Sequence, residues 1–131
     1  MQYLSIVPAI RVGSIAKALP VWTALGFAPA FAFAGDELLP PGKLERATFA
    51  RLDGPSKNPV SVFLDTERGM SGATVHLMLT HPSEVDEAAS RLLGSGLRPT
   101  QPPVDQPWGM RDLRVSDADG NVVVVGAATH P

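Results

Sequence analysis

Three groupings in this chain have the residue types and spacing to do chemistry. The first is Pro107-Trp108-Gly109, followed by Arg111 and Asp112. A tryptophan held on a Pro/Gly corner can pack at a sheet rim, or it can stack a planar ligand, a contact worth about 0.5–1.5 kcal/mol beyond area burial. Arg111 can anchor a carboxylate or fix the turn. Asp112, with Asp105, Asp36 and Glu37, can give a local acidic rim or stand as solvated residues. The second grouping is "FAPAFAFAG", where Phe31 and Phe33 alternate with alanine and so share one sheet face. That face, with Phe49 as a further aromatic, is either core or pocket wall. The third is the set of three histidines, His76, His81 and His130.

Several chemistries are excluded by what the chain lacks. It has no cysteine, which removes disulfides, thiolate zinc sites and a cysteine nucleophile. Ser61 and Ser116 sit in no nucleophile-elbow sequence, so a serine triad can be assembled only arbitrarily. Gly94-Ser95-Gly96 closes a helix instead of opening one, so no loop cradles a phosphate. His81 reads as solvated near a helix start and His130 as part of a frayed tail. The net charge of −2 gives no basic footprint for a nucleic acid.

The elements that must position these groups repeat. At 131 residues, 44% hydrophobic and 18% charged, the chain is expected to be one globular domain. Its start has no basic n-region and soon meets Arg11, so neither a signal peptide nor a membrane span is expected, and the cytoplasm is the default location. "SIVPAIRVGSIAKALPVWTALGFAPAF" and "ATVHLMLTHPSEVDEAASRLLGSGLRPT" follow the same order: a strand, a Ser-capped amphipathic helix, a glycine stop and a second strand. Ser14 aligns with Ser83, Phe27 with Leu97 and Pro29 with Pro99, a shift of about 70 positions. Ser83 is expected to cap the second helix, with Asp86 and Glu87 favouring its positive end. Pro20 predicts a bent or late-starting first helix.

Hairpins follow each helix. Residues 47–52 and 60–64 are joined by Gly54, Pro55, Ser56, Lys57 and Asn58, and residues 111–115 and 122–125 by Asp117-Ala118-Asp119-Gly120-Asn121. Residues 35–45 read as a long Pro/Gly loop and residues 66–72 as the linker.

Two tandem βαβββ modules, the helix end Trp22-Thr23-x-Leu25-Gly26-Phe27 and the run from Pro107 through Trp108, Gly109, Arg111, Val115 and Asp117 to Asp119-Gly120-Asn121 resemble the vicinal oxygen chelate superfamily. That superfamily comprises glyoxalases, extradiol dioxygenases, fosfomycin-modifying enzymes and bleomycin resistance proteins, and this chain is most similar to the last branch. The resemblance implies an α+β fold, a single domain over residues 1–131, with modules at about residues 1–66 and 72–128 forming a cupped, open barrel-like mixed sheet around a ligand cavity. It also implies a homodimer, in some members with exchanged modules.

The family's metal ligands would fall at Val7, His76 and Val124, and the matching strand of the first module offers neither carboxylate nor imidazole. One ligand cannot hold a catalytic divalent ion, so no metal or other cofactor is expected. The tryptophan matching Trp108 stacks a flat drug tail in bleomycin-resistance proteins. Where that branch places a phenylalanine partner this chain has Glu45 or Arg46, leaving Phe31, Phe33 and Phe49 as substitutes. The expected function is metal-independent sequestration of a bleomycin-class or other heteroaromatic drug through Trp108, Phe31, Phe33, Phe49, Arg111, His76 and Asp112, with neither nucleic acid nor membrane as partner. The alternatives are a glyoxalase- or dioxygenase-like enzyme with an atypical site around His76, and a ligand-sensing module.

Overall fold

A computed structural model of the chain describes residues 1–57 and 60–130. It divides into two compact units, Met1–Ser71 and Gly72–Pro131. In the first, β1 (Ala9–Arg11) leads into α1 (Ile15–Ala24), then β2 (Ala28–Ala34), β3 (Glu37–Leu38), β4 (Phe49–Asp53) and β5 (Ser61–Asp65). In the second, β6 (Thr74–Met78) leads into α2 (Pro82–Gly94), then β7 (Gln101–Gln106), β8 (Met110–Ser116) and β9 (Val122–Ala128). The sheets run β1-β5-β4-β2-β3 and β6-β9-β8-β7. In each, the first and last strands pair in parallel and every other pair is antiparallel. The fold is α+β, with two tandem modules built on open mixed sheets.

Both helices end on the same device. After α1, the N–H of Gly26 donates to the Thr23 carbonyl at 3.0 Å and that of Phe27 to Trp22 at 2.9 Å. After α2, Gly96 donates to Leu93 at 3.0 Å and Leu97 to Leu92 at 2.9 Å. These paired reversed bonds need a left-handed residue, supplied by Gly26 at φ 93° and Gly96 at φ 78°. The apolar contact that accompanies them is the edge-on packing of Trp22 against Phe27, ring centroids 5.1 Å apart. Trp22 is 2% exposed and belongs to the core.

The helix starts differ from expectation. Ser14 caps α1, its Oγ accepting from the Lys17 N–H at 3.2 Å, and the helix begins at that cap and continues through Pro20, so the start is not delayed. Ser83 is not the cap of α2. His81 is, because Pro82 has its φ preset for the first helical position and Glu84 reaches back to accept from the His81 N–H at 2.9 Å. The repeat is therefore in register at the helix ends and out of register at their starts. The loop expected over residues 35–45 also contains β3, which pairs Leu38 with Phe33 and Glu37 with Ala34. In the connection between β4 and β5, Asn58 and the following Pro59 lie outside the described residues.

The first sheet has one buried face, and in the second β9 is buried on both sides. In the first unit Ile10, Leu64, Ala50 and Ala32 form a cross-strand row, with Leu52 and Val62 beside it. In the second, Leu113, Val115, Val123, Val125 and Ala127 share a face with Val85, Ala88, Ala89 and Leu92 of α2. Asn121, 3% exposed, fixes the parallel pairing of β6 with β9. Its Oδ1 accepts from the Ala73 N–H at 2.9 Å, ahead of β6, while its Nδ2 donates to Asp117 Oδ2 at 2.9 Å across the turn ahead of β9. Asn121→Ala strands the buried Ala73 N–H and is expected to cost about 1–3 kcal/mol. Urea denaturation checks this, and a midpoint equal to wild type contradicts it.

Candidate functional site

Residues registered opposite one another on neighbouring strands point to the same side of a sheet. In the first unit the row Phe31–Arg51–Phe63 and the row Phe33–Phe49–Asp65 therefore occupy the face opposite the buried one. A register shift between Pro29 and Phe31 brings the phenylalanines of β2 into these rows. The rings touch in sequence. Phe33 meets Phe31 edge-on at 5.8 Å, Phe31 stacks on Phe49 at 6.2 Å with 28° between planes, and Phe49 meets Phe63 at 5.1 Å. Phe31 is 37% exposed and the other three are half-buried, so the face is an accessible aromatic floor.

A polar group is fixed within this floor. Arg51, between Phe31 and Phe63 in its row, donates from Nε to Asp53 Oδ1 at 3.0 Å and from Nη2 to Ser61 Oγ at 3.2 Å. The Ser61 hydroxyl donates to the same Asp53 oxygen at 2.6 Å. The Ser61 hydrogen bond and then the Arg51 hydrogen bond hold the Asp53 carboxyl below the usual carboxylate range, against a smaller opposing effect of burial. The guanidinium is thereby held in one orientation among the rings.

In the second unit β8 alternates. Arg111 is turned to α2, donating to Asp86 Oδ1 at 2.7 Å and to Asp105 Oδ1 at 3.1 Å, and both carboxylates raise its pKa, Asp86 the more. Its two partners make it a clasp between the β7–β8 hairpin and α2. Asp112 points the other way, is 4% exposed, and its Oδ1 accepts from the side-chain amides of Gln101 at 2.9 Å and Gln106 at 3.0 Å. On that same open face His76 stands opposite Val124, and Val124 opposite Arg114. Trp108 lies in the three-residue turn between β7 and β8, where the Gly109 N–H closes onto the Gln106 carbonyl at 3.1 Å and Gly109 takes φ 83°. It is 63% exposed.

The residues present do not fit a divalent ion of the kind the superfamily uses. His76 has Val124 as its cross-strand neighbour, and among the described residues no three His, Cys, Asp or Glu side chains converge. Glu45 and Arg46, at the position where a stacking phenylalanine was sought, lie in a turn region, and Arg46 pairs with Glu37 at 2.8 Å.

The family model for the glyoxalase/bleomycin resistance protein/dioxygenase superfamily matches residues 5–125. The chain belongs to this superfamily. Comparison with curated proteins yields no match. Among solved structures, a superfamily member from Sphaerobacter thermophilus DSM 20745 is 28% identical at a TM-score of 0.63, covering 95% of this chain and 98% of that one. TioX from Micromonospora sp. ML1 is 19% identical at a TM-score of 0.69, covering 94% and 97%. A bleomycin-binding protein complexed with bleomycin is 16% identical at 0.64, again covering 94% and 97%. At these last two identities the likeness is one of fold. Among the described residues no helix is long and apolar enough to cross a membrane.

Sequence reasoning missed Phe63, Arg51, Asp53 and Arg114. The signal for Phe63 was present: in Ser61-Val62-Phe63-Leu64-Asp65 its period-two companions are polar, which sets it apart from Val62 and Leu64. The network around Asp53 is testable. Its depressed pKa contributes stability that is present above the ordinary carboxylate value and is lost as pH falls through the depressed one. In a carbon-detected NMR titration Ser61→Ala and Arg51→Gln are each expected to move the Asp53 midpoint upward. An unchanged midpoint in Ser61→Ala contradicts the assignment.

Proposed function

We propose that this chain is a metal-independent binding protein that sequesters a flat, partly aromatic small molecule, an antibiotic of the bleomycin class or another heteroaromatic drug, by non-covalent burial. The observation that carries the reading is the aromatic floor of the first unit, where Phe31 and Phe49 stack within a run of four rings around a fixed guanidinium. Isolated exposed apolar residues are ordinary, but a contiguous set of phenylalanines on a sheet face marks a binding surface. Planar rings already ordered against each other accept a planar ligand with little further loss of side-chain freedom. Arg51 adds a donor beside the rings, so a heteroaromatic with an acceptor at its edge fits better than a plain hydrocarbon.

In this reading Phe31, Phe33, Phe49 and the added Phe63 are the stacking residues of the first unit, and Trp108 is a stacking residue of the second. His76 contributes a polar contact, while Arg111 and Asp112 position the hairpin and strand that carry Trp108. The two units are read as modules of a single domain, the protein as a homodimer in the cytoplasm, with neither nucleic acid nor membrane as partner. Support comes from superfamily membership and from the solved bleomycin-binding relative, and the net charge of −2, which gives no basic footprint, speaks only against a nucleic-acid partner. Sequestration needs no chemical step; its mechanism is affinity. That no three metal-ligating side chains converge among the described residues favours this reading over a lyase or oxygenase.

Tryptophan fluorescence of metal-stripped protein, titrated with metal-free bleomycin and a panel of heteroaromatic antibiotics, tests the reading. Saturable quenching is expected, with Phe49→Ala and Trp108→Ala each weakening binding at least tenfold, about 1.4 kcal/mol. For Trp108→Ala, which leaves Trp22 as the only indole, binding is followed by calorimetry. Failure of every compound to perturb wild-type emission overturns the proposal.

A further inference from the structure

The face of the second sheet turned away from α2 carries an arginine, a histidine and two hydroxyls whose side chains have no partner among the described residues. Three cross-strand rows fix their placement. Thr74, Val122 and Ser116 form one row, His76, Val124 and Arg114 the next, and Met78, Gly126 and Asp112 the third. His76 and Arg114 are thus two strands apart on the same face, their backbones about 10 Å apart at ordinary strand spacing, with buried Val124 between them. Thr74 and Ser116 stand one row along on the same two strands, both exposed.

The charge balance of this face is uneven. Arg114 is half-buried, and a guanidinium partly removed from water gains from a counter-charge. The carboxylate nearest along its own strand face is Asp112, which forms no ion pair with it and accepts instead from the Gln101 and Gln106 amides at 2.9 and 3.0 Å. The other arginine of β8, Arg111, shows the contrast: it faces α2 and holds two carboxylates. Two positive or hydrogen-bonding groups on β6 and β8, two hydroxyls beside them and an apolar floor of Val122 and Val124 make a cradle for a compact group with several acceptor oxygens.

We propose that Arg114, His76, Thr74 and Ser116 form an oxyanion-binding subsite that takes a phosphoryl or sulfuryl group of a small molecule. The subsite stands on the second unit alone and does not depend on the aromatic floor of the first. Arg114 supplies the fixed charge and a planar fork of donors, His76 an imidazole donor from β6 two strands away, and the hydroxyls stand one row along as further donors.

The test is an NMR titration of the full-length protein with inorganic phosphate, repeated with sodium chloride at matched ionic strength. Expected are saturable shifts at His76, Arg114, Thr74 and Ser116 with phosphate and none that saturate with chloride. Arg114→Gln should weaken phosphate binding at least tenfold and His76→Gln at least threefold, while Arg114→Lys keeps part of the affinity. Backbone spectra of each variant establish that the fold is intact. Absence of saturable shifts with phosphate, or undiminished binding by a folded Arg114→Gln protein, overturns the proposal.

Discussion

The parallel pairing of each unit's first strand with its last is the constraint on which both open faces depend. Parallel neighbours cannot be joined by a tight turn, and their slanted ladder is slightly weaker than an antiparallel one, so their register needs independent support. In the second unit Asn121 provides it by binding the chain just ahead of β6 and the turn just ahead of β9 together. In the first unit the same task falls to the chain after β5. There the Met70 N–H donates to the Ala9 carbonyl and the Arg11 N–H to the Met70 carbonyl, each at 2.9 Å. Gly69 makes that approach possible: at φ 96° a Cβ would stand 2.8 Å from the Ala9 oxygen. A slip of one residue in either pairing would exchange the buried and open faces.

With the registers fixed, the two faces acquire different chemistries. The first unit presents rings around one neutralised arginine, and the second presents polar and cationic groups around valines. Among the described residues neither face gathers three of the carboxylates and imidazoles that hold a divalent ion. The motif of Trp108 to Asn121 is divided in the same way. Asp117 and Asn121 build the turn and tie it to β6, and Arg111 clasps α2, so most of that sequence signature is structural. Trp108, 63% exposed, is the large apolar side chain of that run at the surface.

Much of this was legible in the sequence because it rests on local signals. Glycine stops at Gly26 and Gly96, the amphipathic stripes of both helices and the Asp-Gly-Asn turn each have a short-range physical cause, and the tandem repeat follows from them. The start of α2 was misplaced because Ser83 is a better generic cap than His81, yet Pro82 and Glu84 acting together outweigh it. The site was only partly legible. Period two places Phe31 and Phe33 on one face, but which face is decided by pairing with β4 and by the register shift after Pro29, and neither is a local property. Phe63, Arg51 and Arg114 join their rows only through partners on other strands. Cross-strand rows were the missing information.

Isotope-edited NOE spectroscopy of the metal-stripped protein with metal-free bleomycin, or with whichever heteroaromatic drug binds most tightly, tests the central claim most directly. Expected are contacts from the ligand's ring protons to the ring protons of Phe31, Phe49 and Phe63, unchanged when a divalent ion is added. Ligand contacts that bypass those rings, or that form only with a divalent ion bound at His76, would contradict the account.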